Sequence, residues 1–164
     1  MDIKQIKRNG NIKVLSHDHH FGLLFCWKIR KGIIKNIALG RIRQYINYYW
    51  TNHLRQHFGE EEIFFYALVE SSLCVRGLSH HQAISDMIKI INAKIVDNPE
   101  TYLALADIID EHIRFEENEL FPFMESVLSA EALAAIDAQL GNLHVTKTND
   151  NYADEFWTNS SLDN

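Results

Sequence analysis

Two short stretches repeat one chemical idea: His57-Phe-Gly-Glu-Glu61 and His112-Ile-Arg-Phe-Glu116 each set a glutamate four residues after a histidine. Four residues is about one helical turn, so the two side chains of each pair share a face about 5 to 6 Å apart at Cβ. An imidazole nitrogen and a carboxylate presented together can serve neighbouring metal positions. Both pairs lie on apolar stripes. His57 and Glu61 continue Trp50, Leu54, Phe64, Phe65 and Leu68, and His112 and Glu116 continue Leu105, Ile108, Ile109, Phe115 and Leu120. A carboxylate on a core-facing stripe is expensive to bury alone, and a cation held between two of them offsets that cost.

Two further histidine clusters, His17-Asp18-His19-His20 and His80-His81, stand near the starts of other apolar-periodic segments. In the first, His20 aligns with Leu23, Leu24, Trp27 and Ile34, whereas His19 leads through Gly22, Leu23 and Cys26 to the charged Arg30. The periodicity favours His20 as the inward member and leaves His19 as the alternative. In the second, His81 leads through Ile84, Ile88, Ile91 and Ile95, and His80 reaches Lys94, which favours His81. The expected ligand set is therefore His20, His57, Glu61, His81, His112 and Glu116, one histidine per helix with two glutamates from alternate helices. If both glutamates bridge, each of two ions receives two imidazoles and two carboxylate oxygens. That donor set suits iron or manganese and is also compatible with zinc. His53, four residues before His57, is expected as polar surface or as support for the ligands. Glu60, Glu62, Glu117 and Glu119 are expected as a solvated acidic face.

The elements that must carry these residues are helices. Proline and glycine are scarce, 2 and 7 in 164 residues, and apolar residues recur three and four apart through most of the chain. The expected fold is all-α, an up-down-up-down four-helix bundle in one domain over residues 1–164, its core spanning about 15–126 and a short extra helix and tail following from 129. The first helix is expected from Ser16, as N-cap, to Asn36, and the second from Gly40 to Ser71. The third is expected from Ser79 to Val96 and the fourth from Glu100 to Phe121, with Pro99 at its first turn and a break at Pro122. A fifth, capped by Ser129, is expected over Ala130 to Leu140 with Gly141 at its end. In the polar tail, Tyr152, Phe156 and Trp157 could clip the chain end onto the body.

Taken together, the motifs resemble those of the bacterial hemerythrin-like (HHE cation-binding) family. The likeness rests on Leu15-Ser-His-Asp-His-His20, His57-Phe-Gly-Glu-Glu-Glu62, Ser79-His-His-Gln-Ala-Ile84 and His112-Ile-Arg-Phe-Glu-Glu-Asn-Glu-Leu-Phe-Pro122, in that order. The resemblance implies two non-haem iron ions, oxo- or hydroxo-bridged, that meet dioxygen, nitric oxide or peroxide, with an unidentified redox partner. It also admits two other functions: an iron donor or store linked to iron-sulfur cluster repair, or a structural metal-binding interaction module. The oxygen-carrying members have a His-x-x-x-His pair on the third helix and an aspartate five residues after the last helix's histidine. Here Ser85 follows His81 by four and Glu117 follows His112 by five, so reversible oxygen carriage is not expected.

Composition excludes other classes. The formal charge is −6, from 22 acidic and 16 basic residues, which argues against a nucleic-acid partner. There is no apolar run long enough for a membrane span, and Met1 to Leu15 lacks a signal-like segment. Cys26 and Cys74 lie in apolar stretches rather than in a CxxC pair, pointing to buried packing thiols in a reducing compartment, the cytoplasm being the simplest address.

Overall fold

The computed structural model describes residues 12–143 and 149–158, with side chains from 12–141 and 149–158. Among them the chain is helical, with no strand: α1 (Lys13–Ile34), α2 (Leu39–Tyr49), a π-helical segment (Trp50–Leu54), α3 (Arg55–Ala67), α4 (Ser72–Asn92), α5 (Pro99–Phe115), a second π-helical segment (Glu116–Leu120), α6 (Phe121–Val127) and α7 (Ala130–Leu143). The π segments join their flanking helices without interruption, so α2 to α3 and α5 to α6 are each one long rod. Helix α5 packs against both α1 and α4, and α4 also packs against α2 and α3.

Local chemistry explains several boundaries. Asn98 caps α5 by accepting from the Thr101 amide at 3.0 Å, and Pro99 occupies the first turn, where its missing N–H is no loss. Ser129 accepts from Ala132 N at 3.1 Å and caps α7, which runs through Gly141 to Leu143 rather than stopping there. Two expected caps are corrected. Helix α1 begins at Lys13, and Ser16, inside it, turns its hydroxyl to Glu117 instead. Helix α4 is capped by Ser71 and begins seven residues before Ser79, whose hydroxyl bonds back to the Val75 carbonyl. Such back-bonding inside a helix satisfies serine without any cap. Pro122 does not break the helix either. It lies in the first turn of α6, directly after a π segment whose wider turn accommodates the lost amide.

Among the described residues the apolar interior forms two clusters. One gathers Phe25, Ile29, Tyr45, Phe58, Ile84, Ile88, Leu105 and Ile109, and the other Leu15, Phe64, Phe65, Cys74, Phe115, Leu120, Phe121 and Met124. Each long rod passes from one to the other, and between them it carries a histidine or glutamate: His19 on α1, Glu61 on α3, His81 on α4, His112 and Glu116 on α5 and the segment after it. The molecule thus has a buried polar layer between two greasy ones. The tail returns across α1 and α2, burying Phe156 and Trp157. Both cysteines are free and buried, and burial pushes the Cys26 thiol up to about 12. Among the described residues no helix is long and apolar enough to cross a membrane.

Candidate metal centre

The polar layer brings together His19, His57, Glu61, His81, His112 and Glu116. All are nearly or fully buried except His57, whose side chain is 11% exposed. Glu61 lies at the middle. Its Oε1 is 3.1 Å from His19 Nε2 and 2.8 Å from His57 Nε2, while its Oε2 is 3.1 Å from His81 Nε2 and 3.9 Å from His112 Nε2. Glu116 repeats the division, with Oε2 3.1 Å from His19 Nε2 and Oε1 3.3 Å from His112 Nε2. The donor atoms form two groups that share Glu61: His19, His57 and Glu61 in one, and Glu61, His81, His112 and Glu116 in the other.

Five of the six residues expected from sequence meet here, and the sixth does not. His20 is exposed and lies outside the cluster, and His19 takes the place expected for it. The stripe that favoured His20 faces outward: Leu24, Trp27 and Ile34 are 38%, 48% and 73% exposed. Arg30, the charge that argued against His19, is accommodated by Asp107 and Asp110 at 2.7 and 3.2 Å. Lys28 is buried on the inward side because Asp150 of the tail meets it at 2.7 Å. Local periodicity could not see these partners, which lie 77, 80 and 122 residues away.

Around the ligand atoms stands a second ring, two of whose members, Glu62 and Glu117, the sequence predicts as solvated. His19 Nδ1 donates to Glu117 Oε1 at 2.7 Å, and His81 Nδ1 to Glu62 Oε1 at 2.9 Å. These bonds orient the two rings with each Nε2 directed inward, where a metal ion would take the place of its proton. His57 Nδ1 faces Asp18 at 3.4 Å, and His112 Nδ1 faces His80 at the same distance. The available signal was adjacency, since Glu62 and Glu117 each directly follow an inward glutamate. Glu60 is buried rather than solvated and accepts from Gln56 at 2.9 Å. His53 lies against the rings of Tyr48 and Tyr49, outside both donor groups. Phe58 stacks on His81 at 3.8 Å between centroids, and Phe121 stacks on His19 at 5.4 Å, sealing the layer from both apolar clusters.

The electrostatics are those of a cation trap. Burial alone would lower the histidine pKa values, yet carboxylates outweigh it. Glu116, Glu117 and Glu61 hold His19 well above 6.5, Glu61 and Asp18 raise His57 to about 10, and Glu61 and Glu62 raise His81 to about 9. For Glu61, burial pushes upward, but His57, His112 and His19 hold it well below the usual range. Despite these short approaches, His112 Nε2 and both Glu116 oxygens are buried without a properly directed hydrogen bond. Unpaired buried acceptors are costly, and a cation placed among them would satisfy all three. The residues therefore fit metal ions.

Residues 9–124 match the family model described as Hemerythrin HHE cation binding domain. No curated protein and no solved structure matches the chain.

Proposed function

The chain belongs to the hemerythrin HHE cation-binding domain family, and from that premise we propose that it holds two iron ions for chemistry with dioxygen, nitric oxide or peroxide. The observation that carries this reading is the division of Glu61, with one oxygen facing His19 and His57 and the other facing His81 and His112. With Glu116 divided the same way, each position has two imidazole nitrogens and two carboxylate oxygens. Such an intermediate nitrogen and oxygen set suits iron and leaves room for a further ligand. When bound, iron would supply one-electron redox chemistry to that ligand.

The chain's own residues do the rest. Glu62 and Glu117 orient His81 and His19 and raise their basicity, while Asp18 faces His57. Phe58 stacks on His81 and Phe121 on His19, covering those two flanks of the layer.

Elemental analysis of the natively purified protein, with visible and near-ultraviolet spectra under reducing conditions and in air, tests the reading. About two irons per chain and a charge-transfer band that appears with air are expected. Zinc, or folded protein without metal, would overturn it. Rapid loss of iron to a chelator from folded protein would favour an iron donor instead.

A further inference from the structure

A cleft of about 330 Å³ opens beside the polar layer. Its lining runs from the imidazoles of His19, His57 and His112 to the exposed Leu24 and Trp27 and on to Trp157 in the tail. A water molecule's share of the liquid is about 30 Å³, so the cleft has room for roughly ten. A diatomic gas or hydrogen peroxide would fill a small part of it. The volume lies at the lower end of the range for clefts that take organic molecules.

Part of the outer wall lies beyond the region matched to the family, which ends at residue 124. Asn149, Asp150, Glu155 and Trp157 all line the cleft. This stretch is anchored firmly. Asp150 accepts from Lys28 at 2.7 Å and from the Tyr45 hydroxyl at 2.5 Å, and its carbonyl accepts from Tyr48. Lys28 lies 3.9 Å from the Trp157 ring centroid, and Arg41 forms two bonds to Asp154. The charges of Lys28 and Asp150 are thus committed to each other. Beside the carboxylates of Asp18, Glu60 and Glu155, which also line the cleft, apolar surface from Leu24, Trp27 and Trp157 remains to make contact, and this gives the outward-facing Leu24 and Trp27 a use that core packing does not.

We propose that the cleft binds a small organic molecule whose apolar body lies among Leu24, Trp27 and Trp157 and whose polar end meets the His19, His57 and His112 side. The polar end alone rests on the metal-binding reading above.

The test is calorimetric titration of the full chain, metal-free and zinc-loaded, with 2-phenyl-2-propanol, which joins an aromatic ring to a single hydroxyl. Saturable one-to-one binding is expected in at least one preparation. Leu24→Trp, which fills the apolar part, should weaken it by about tenfold or more. Ile34→Trp places the same bulk at an exposed position of the same helix that does not line the cleft, and should leave binding unchanged. Circular dichroism confirms that both variants fold. No saturable binding in either preparation, or binding indifferent to Leu24→Trp, overturns the proposal. Probe binding without iron in the native protein would spare this inference and remove the iron reading, and iron without probe binding would do the reverse.

Discussion

At the scale of single residues, the choice between His19 and His20 decides how the first helix contributes. His19 Nε2 lies 3.1 Å from both inward glutamates, whereas His20 is exposed. His19→Ala is expected to lower bound metal to about one ion per chain or fewer, because one donor group loses a nitrogen, and His20→Ala to leave it at the wild-type level. Elemental analysis of both variants reads the difference. Glu61→Ala should be more damaging, since both donor groups lose an oxygen. The paired His-x-x-x-Glu spacings were legible because one helical turn relates their members and no distant contact is needed. His81 was legible for a similar reason, as a continuous isoleucine stripe follows it. The register of His19 was not, because the buried Lys28 and partly buried Arg30 on its side of α1 are neutralised by remote aspartates. The supporting roles of Glu62 and Glu117 depend on which ring nitrogen each histidine turns inward, which is a property of the assembled layer.

At the scale of elements, glycines in two helices should respond oppositely to the same change. Gly59 lies between His57 and Glu61 on the exposed face of α3, where an added Cβ would meet nothing within 4 Å. Gly59→Ala should raise stability by up to about 1 kcal/mol through helix propensity, with metal content unchanged. Gly32 in α1 is different. A Cβ there would come within 2.7 Å of Phe156 and 3.0 Å of Ile42. Gly32→Ala should gain the same propensity yet lose about 1–3 kcal/mol to overpacking, for a net destabilisation in urea titration. Helical content and the place of Pro99 in the first turn of α5 were readable because both rest on nearest-neighbour chemistry. The early start of α4 was not readable, because Ser71 and Ser79 are equally good caps in isolation and the packing of Cys74 and Gly77 inward settles between them.

At the scale of the whole molecule, the buried polar layer makes stability depend on pH in a way that metal should reverse. In the metal-free protein, His57 and His81 keep their protons up to about 10 and about 9, against 6.5 for the unshifted group. The folded state then binds more protons than the unfolded state above pH 6.5, so stability is fully present below that value and falls as pH rises through the folded values. Glu61 acts in the opposite sense, its contribution present above 4.5 and lost as pH falls toward its depressed value. Metal-free protein should therefore unfold at its highest temperature between about pH 4.5 and 6.5. Metal replaces the imidazolium protons and should abolish the alkaline decline, while acid should strip the metal. Thermal melts across pH with and without metal would show crossing curves. Equal pH dependence in the two forms would mean that the layer binds no cation through these histidines.

The two π segments have a consequence for how this chain can change length over evolutionary time. Along the rod from α2 to α3 the buried positions run Tyr45, Tyr49, then Leu54 and Phe58, a step of five where the π turn intervenes. Each residue of an α-helix turns the chain by about 100°, so losing one residue from Trp50–Leu54 and restoring a regular helix would swing everything after it by about that angle. His57 and Glu61 would leave their neighbours together. Deletions and insertions are far better tolerated at the exposed turn of residues 93–96, which bears none of the layer, but within either rod the residue count is itself part of the site.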